Sequence, residues 1–198
     1  YSTAMFDGAG VLVAQGLTLP GHLGSMPTAM AAVLETFGDD IHPGDVFIFN
    51  DPFRGGMHLP DVFVFKPIFR DEARIAWACA VCHHTDVGGR VPGSNASDST
   101  EIYQEGVRIP PLRLYRRGVP NETFFKLFLT NVRVPDKVMG DLRAQLAACH
   151  IAERRLVELV EQYGAEQLDR YFTELLDYAE RMVRDEIGRM PDGVYLFT

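Results

Sequence analysis

One segment of the chain, residues 74–84, limits the possible folds more than any other. A strand places successive side chains on opposite faces of its sheet, and here both faces are largely apolar. One face would carry Ile75, Trp77, Cys79, Val81 and His83, and the other Ala76, Ala78, Ala80, Cys82 and His84. Apolar residues on both faces are typical of a strand that is covered on both sides. We therefore predict a buried strand here.

The first half of the chain has the pattern of short strands separated by turns. Asp7-Gly8-Ala9-Gly10 favours a tight turn, so residues 3–6 and 11–15 are predicted to pair as a hairpin. Apolar runs bounded by turn residues predict two more strands, at residues 45–49 and 62–65. A loop is predicted from residue 86 to residue 99.

Three helices are predicted from apolar residues that recur at helical spacing. Because Ser25 precedes Met26-Pro27, the first helix is predicted to be capped by Ser25 and to end at Gly38. A long amphipathic run starts at Pro135 and ends at Gly164, and another run follows directly. Two consecutive helices joined by a glycine favour an antiparallel helical hairpin.

These patterns predict an α+β fold, with a mixed, mostly antiparallel sheet region followed by the helical hairpin. The expected boundary separates a strand- and loop-rich region at residues 1–118 from a helical region at residues 119–198. The helical region is expected to end with the start of a further strand at residues 193–198. The chain opens without a Met inside a predicted strand, so we expect it to be a segment of a larger protein.

Composition argues against several classes of protein. The formal net charge of -8 disfavours nucleic acid as a partner, because phosphate binding requires a basic face. No apolar run is long enough to cross a bilayer, so we expect no membrane association. The 3 cysteines lie at irregular spacing and do not form a disulfide framework, which favours a reducing, cytoplasmic location.

Histidine and carboxylate side chains cluster at two places in the first half. His58-Leu59-Pro60-Asp61 is one group, and His83-His84-Thr85-Asp86 is the other. Each group lies at the edge of a predicted strand, where neighbouring strands can bring distant residues together. Imidazole and carboxylate ligands suit Zn, Mn or Fe, and two histidines with one carboxylate leave coordination positions open. One interpretation is therefore a divalent metal site.

The other interpretation is that these histidines only satisfy the polar needs of a folded core. An isolated His-x-x-Asp is usually a surface turn, and imidazoles at the end of an apolar strand need partners with or without a metal. Adjacent strand residues point to opposite faces, so only one of His83 and His84 is expected to be a primary ligand. The other would orient a substrate or support a ligand.

Two further clusters bear on function. Glu101 and Glu105 would share a face if their segment is helical, and either could be a general base, support a metal ligand or simply be solvated. Cys79-Ala80-Val81-Cys82-His83 matches the spacing of covalent haem attachment. Because that run is expected to be buried, we interpret its cysteines as core residues. The chain lacks the GxxxxGK[ST], GxGxxG and GxSxG patterns, so it has no evident nucleotide site or serine nucleophile.

At these same residues the chain resembles the hydantoinase B/oxoprolinase family, which includes the large subunits of acetone and acetophenone carboxylases. The resemblance covers nearly the whole chain, in family order. Met57 departs from it, since Thr is frequent there in the family. The motifs that carry it are HLGSM at 22–26, NDPFRGGMHLPD at 50–61, HHTDVGG at 83–89, PGS at 92–94 and TEIYQEGVRIPP at 100–111.

The resemblance implies an ATP-dependent enzyme of two parts that acts on a small-molecule substrate. A hydantoinase A-like partner, as a separate subunit or a fused domain, would bind ATP and phosphorylate the substrate's carbonyl oxygen. The hydantoinase B-like part, which this chain resembles, would hold a divalent metal through His58, Asp61 and one of the adjacent histidines at 83 and 84. Of these two we favour His83. From the residues themselves, His84, Glu101 and Glu105 are the candidates for catalytic roles. A hetero-oligomer is expected if the partner is a separate chain.

Three functions remain open at this stage. The first is the metal-dependent part of an ATP-dependent cyclic amide hydrolase of the hydantoinase or 5-oxoprolinase type. The second is a subunit of an ATP-dependent ketone carboxylase of the acetone or acetophenone type. The third is a non-catalytic scaffold subunit whose histidines satisfy a polar core.

Overall fold

A computed structural model describes residues 1–197 of the chain. The chain divides into two compact units, residues 1–158 and 159–198, and the predicted boundary between residues 118 and 119 lies inside the first of them. The first unit contains a sheet whose strands are β1 (Ser2–Asp7), β2 (Leu12–Gln15), β3 (Val46–Phe49), β4 (Asp61–Arg70), β5 (Ala73–His83), β6 (Leu112–Arg116) and β7 (Val119–Pro120).

The seven strands form one sheet in the order β2-β1-β5-β4-β3-β6-β7, and every neighbouring pair is antiparallel. The predicted α+β class with a mostly antiparallel sheet is therefore confirmed. β5 is central and buried on both faces over residues 76–82, as the alternation of apolar residues predicts. β4 is longer than the predicted strand, because it stays paired with β5 through Pro67 as far as Arg70. The first residue of β4, Asp61, lies directly opposite His83, the last residue of β5.

Helix α1 (Pro20–Phe37) covers one face of the sheet. The prediction that Ser25 caps this helix is wrong, because the helix already begins at Pro20, which supplies a backbone angle suited to a first turn. Pro27 therefore lies inside the helix, and the Ser25 hydroxyl donates to the His22 carbonyl oxygen at 2.8 Å. Met26, Met30 and Val33 of α1 pack with Phe6, Phe47, Phe49, Phe63, Phe65, Trp77 and Val81 of the sheet.

The opposite face of the sheet contacts helix α3 (Pro135–Tyr163). The small side chains of β5 on this face let α3 approach the strand backbones. The Gln145 amide nitrogen donates to the carbonyl oxygens of Val62 and Ala80 at 2.7 and 3.0 Å. Lys66 of β4 pairs with Glu153 at 2.8 Å. Helix α2 (Glu122–Thr130) precedes α3 and is capped by Asn121, whose side chain accepts from the Phe124 N–H.

The second unit contains helix α4 (Ala165–Gly188), which starts after Gly164 at a φ of 85°. Two consecutive helices joined at Gly164 match the sequence prediction, whereas their antiparallel packing stays a prediction. The predicted strand at residues 193–198 does not form over residues 193–197, because no other described residue pairs with that segment, and Thr198 lies outside the described residues. Among the described helices, none combines the length and apolar character that a bilayer span requires.

Candidate metal centre

The HLPD turn places Asp61 at the buried start of β4. The Asp61 N–H donates to the His58 carbonyl oxygen at 2.9 Å, which closes the turn and brings both side chains to the same edge of the sheet. Since His83 is the register partner of Asp61, the pairing of β4 and β5 adds a second imidazole at that edge. Tight local turn geometry and long-range strand pairing thus converge on one carboxylate.

The Asp61 carboxylate is fully buried and accepts hydrogen bonds on both oxygens. On Oδ1 it accepts from Nδ1 of His83 at 2.7 Å and from Nε2 of His22 at 3.1 Å. On Oδ2 it accepts from Nδ1 of His58 at 2.9 Å and from the His58 backbone N–H at 3.0 Å. A buried carboxylate with this many donors meets the need for partners that burial imposes.

Two opposing effects act on the charge of Asp61. Burial raises the pKa of this carboxyl, but hydrogen bonds from His83 and the His58 N–H, together with the charges of His83 and His22, lower the pKa below its usual value. The ionised form is therefore favoured. Asp61 is acceptor-only in that form, which requires each nitrogen facing it to carry a hydrogen.

The side chains of this centre differ in their access to solvent. Asp61 is inaccessible, whereas the His58 side chain is 61% exposed and the His83 side chain is 43% exposed. A ligand approaching from solvent would therefore meet the imidazoles and not the carboxylate.

His58, Asp61 and His83 have the composition and spacing of a metal-ligand set. One possible ligand atom from each lies within 4.8 Å of the other two. Two imidazoles and one carboxylate suit Zn, Mn or Fe and leave coordination positions free on the exposed side. The structure thus brings together the three residues that the sequence predicts as ligands, and the donor set fits a divalent cation.

His84 lies on the opposite face of the sheet from this centre. Its ring is fully buried, its Nε2 lies 2.8 Å from the Gln145 side-chain oxygen, and its centroid is 6.3 Å from that of Phe128. Burial lowers the pKa of His84, an effect that the hydrogen bond to Gln145 opposes. Its Nδ1 has no hydrogen-bond partner within residues 1–197. These contacts favour a structural role over the predicted substrate contact, which remains untested.

Glu101 and Glu105 flank a short 3-10 helix at Ile102–Gln104 and are not part of the cluster of histidines. Glu101 is exposed and Glu105 half-buried, and over the described residues neither carboxylate forms a hydrogen bond or ion pair. Their catalytic role therefore stays a prediction. Cys79 and Cys82 are buried and free, as the interpretation of this run as core requires.

Buried Asn50 holds the loops that flank the candidate metal centre. Its side-chain nitrogen donates to the carbonyl oxygens of Leu59 and Val107 at 2.6 and 2.9 Å, and its oxygen accepts from the Ile109 N–H at 2.6 Å. The loop after Asn50 packs so closely that a Cβ at Gly56 would lie 2.6 Å from the Asn50 carbonyl oxygen. This packing gives a physical reason for the Gly-Gly pair before His58.

Sequence reasoning about individual residues missed His22. This residue lies on α1, is 4% exposed, and contacts Asp61 from the helix side. Its Nδ1 lies 3.1 Å from the Ser2 hydroxyl, which in turn accepts from Thr18 at 2.7 Å. A histidine within the HLGSM motif was the only available clue, because no spacing rule links residue 22 to residue 61.

The model of the hydantoinase B/oxoprolinase family matches residues 1–198. The chain belongs to this family. It is 43% identical over 198 residues to the caprolactamase subunit beta of Pseudomonas jessenii, covering 100% of this chain and 34% of that subunit. It is also 31% identical over 170 residues to the acetophenone carboxylase delta subunit of Aromatoleum aromaticum, covering 85% of this chain and 25% of that subunit. The family therefore includes both a lactam hydrolase subunit and a carboxylase subunit.

The fold also matches that of a solved family member. The crystal structure of the ATP-dependent caprolactamase from Pseudomonas jessenii superposes with a TM-score of 0.93 at 42% identity, covering 97% of this chain and 33% of that chain. The chain thus spans about a third of the length of these caprolactamase relatives. This proportion agrees with the prediction that the chain is a segment of a larger protein.

Proposed function

We propose that this chain provides the metal centre of an ATP-dependent cyclic amide hydrolase that opens a lactam or hydantoin ring. The observation that carries the proposal is the convergence of His58, Asp61 and His83 on one partly open site. The 43% identity between this chain and a caprolactamase subunit supports a lactam as the substrate class. Hydantoins remain within the proposal because both are cyclic amides.

The chemistry explains why such an enzyme would use ATP. Amide resonance makes a ring carbonyl a poor electrophile, and phosphorylating its oxygen creates a better electrophile with a good leaving group. The proposed ATP-binding partner is a hydantoinase A-like subunit or fused domain, and a separate subunit would make the enzyme a hetero-oligomer. When bound, a divalent cation would lower the pKa of a coordinated water and stabilise charge that develops on an oxygen of the reacting group.

The chain's own residues have distinct parts in this proposal. Asp61 would provide a buried anionic ligand, and His58 and His83 would provide imidazole ligands on the exposed side. Glu101 and Glu105 are the proposed general bases, because both carboxylates lie in the TEIYQEGVRIPP motif that carries the family resemblance. His84 is proposed to support the end of β5 from the opposite face, through Gln145.

A second candidate function is a ketone carboxylase subunit. It is favoured by the 31% identity to the acetophenone carboxylase delta subunit. The same three ligands would serve either reaction, because both require charge stabilisation on an oxygen of an activated substrate. The two reactions differ in substrate, a cyclic amide or a ketone, and in co-substrate, water or bicarbonate.

The decisive experiment uses the full-length protein reconstituted with its ATP-binding partner. ATP hydrolysis is measured with caprolactam, 5-oxoproline, hydantoin or acetophenone, each with and without bicarbonate. The proposal predicts that a cyclic amide stimulates ADP release without bicarbonate and yields the ring-opened acid. Stimulation by a ketone that depends on bicarbonate would instead establish the carboxylase function.

Two histidine substitutions, one at the site and one distant control, test whether the site binds metal. His58→Ala is expected to abolish stoichiometric binding of Zn²⁺ or Mn²⁺ and the ring-opening activity, because it removes one imidazole ligand. His150→Ala is the matched control, since His150 lies on α3 and its side chain is 64% exposed. Equal metal content and activity in the two variants would contradict the proposal and favour the scaffold interpretation.

A further inference from the structure

His22 occupies a position from which it can hold Asp61 without competing for a cation. Its Nε2 lies 3.1 Å from Asp61 Oδ1, and its Nδ1 lies 3.1 Å from the Ser2 hydroxyl. Both ring nitrogens are thus already engaged. His22 does not join the group of three side chains whose ligand atoms all lie within 4.8 Å of one another, which comprises His58, Asp61 and His83.

In the series of contacts from Thr18 through Ser2 and His22, each hydrogen bond is donated in the direction of Asp61. An ionised carboxylate only accepts, so the His22 Nε2 must carry a hydrogen. The Thr18 hydroxyl has two acceptors, Ser2 Oγ at 2.7 Å and the Gly16 carbonyl oxygen at 3.5 Å, and the shorter contact directs its hydrogen to Ser2. The Ser2 hydrogen is then free to bond the His22 Nδ1, while the His22 Nε2 directs its hydrogen to Asp61.

Cation binding would change which donors Asp61 keeps. The nitrogens of His58 and His83 that contact Asp61 are their Nδ1 atoms, at 2.9 and 2.7 Å. An imidazole nitrogen that gives its lone pair to a cation cannot donate a hydrogen to a carboxylate. If both Nδ1 atoms bind the cation, the His22 Nε2–H and the His58 backbone N–H are the donors that remain on Asp61.

We propose that His22 is a positioning residue, held by Ser2 and Thr18, which orients the Asp61 carboxylate for divalent cation binding. This inference rests on the proposed function, because it takes Asp61 as a metal ligand. Hydrogen bonds that orient a ligand typically change metal affinity by about 10–100-fold. His22 acts from the buried side of the centre, so it does not obstruct the exposed side where substrate would approach.

Two amide variants of the full-length protein separate this role from a general packing role. His22→Gln is long enough to present an N–H near the position of Nε2, whereas His22→Asn reaches only the Ser2 side. Each variant is titrated separately with Zn²⁺ and with Mn²⁺ in competition with a chelator, and near-ultraviolet circular dichroism confirms folding. Affinity is expected to fall by about 10–100-fold for Asn and to stay within roughly tenfold for Gln.

A third variant keeps the inference testable if neither amide variant folds. Ser2→Ala retains His22 but removes the hydroxyl that holds its Nδ1 at 3.1 Å, so affinity is expected to fall by roughly a few-fold. Equal affinity in folded His22→Asn and His22→Gln would overturn the inference. If neither folds, unchanged affinity in Ser2→Ala would do the same.

The unsubstituted protein separates this inference from the proposed function. If it binds neither Zn²⁺ nor Mn²⁺, the proposed metal centre itself is wrong. If it binds one of them and loses it in His58→Ala but not in His22→Asn, the metal centre stands and only the role of His22 is wrong.

Discussion

Asp61 and Asp86 are two buried carboxylates that accept the same number of hydrogen bonds from different kinds of donor. Asp61 accepts four hydrogen bonds, three from imidazoles and one from a backbone N–H. Asp86 also accepts four, from the N–H groups of Gly88, Gly93 and Arg133 and from the Arg133 guanidinium. Both carboxyls have a lowered pKa, because these donors outweigh the raising effect of burial.

The difference lies in what the donors can do next. An imidazole can exchange its hydrogen for a metal bond, whereas a backbone N–H or a guanidinium has no lone pair to offer. The surroundings of Asp61 can therefore rearrange around a cation, and those of Asp86 can only hold a loop in place. Arg133 completes that loop by donating to the carbonyl oxygens of Gly88 and Gly89. Donor type, and not burial or pKa, separates the candidate site from the structural clamp.

The largest expected effect comes from Asp61→Asn, which would break this comparison if it proved harmless. Removing the charge should lower metal affinity and ring-opening activity by at least about 100-fold, because the variant loses its only anionic ligand. Metal content is measured by elemental analysis and activity by ADP release. Asp86→Asn is the matched control, and we expect it to retain stoichiometric metal. Loss of metal in both variants would contradict the distinction between the two carboxylates.

Asp86→Asn should instead lower the free energy of unfolding. At pH 7 we expect a loss of about 2–3 kcal/mol, because charge-assisted hydrogen bonds to Arg133 and the glycine amides are weakened. Urea denaturation of the metal-free protein measures this value. Arg90, whose guanidinium pairs with the exposed Asp98, provides the control. Arg90→Ala is expected to change stability by less than about 1 kcal/mol.

The pH dependence of stability sharpens the assignment of Asp86. Its pKa in the folded protein is below the usual value, so its stabilising contribution is complete above about pH 4 and is lost as pH falls through the folded value. The stability difference between the unsubstituted protein and Asp86→Asn should therefore shrink as pH falls below that range. A constant difference down to acid unfolding would show that the carboxylate charge is not involved.

The smallest expected effect is on the far side of the sheet. Gln145→Leu removes the side chain that bonds His84 and two strand carbonyl oxygens, so we expect a stability loss of about 1–2 kcal/mol. Metal affinity should stay within about twofold, since none of these contacts involves Asp61. Gln162→Leu, at an exposed position, is the control. A large drop in metal affinity would show that His84 communicates with the metal centre and would restore its predicted functional role.

Much of the fold could be read from the sequence. Residues 74–84 are apolar on both faces of a strand, which predicted that β5 is buried on both sides. The turn residues that begin at Asp7 predicted the first hairpin. The start of α1 was misplaced because Pro27 resembles a first-turn proline as much as Pro20 does. The strand at residues 193–198 was predicted from β-forming residues alone, and such residues form a strand only when a partner is available.

The candidate site was predicted in part. His58 and Asp61 are linked by a local turn. His83 and His84 are adjacent at the end of β5, so the sequence places them on opposite faces of the sheet. His22 could not be linked to Asp61, because their contact depends on how α1 packs against the sheet. Local spacing alone does not separate Asp61 from Asp86, since both carboxylates follow a histidine closely in the sequence, and it was the family resemblance that favoured Asp61.

The amino-acid sequence by itself determined the α+β class, the buried central strand and the pool of ligand residues, because these follow from side-chain polarity and local periodicity. Tertiary structure alone decided which carboxylate meets the imidazoles and that His22 supports it. The physical reason is that strand register and helix packing join residues far apart in the chain. Local patterns carry no information about such distances, whereas the antiparallel pairing of β4 with β5 determines them directly.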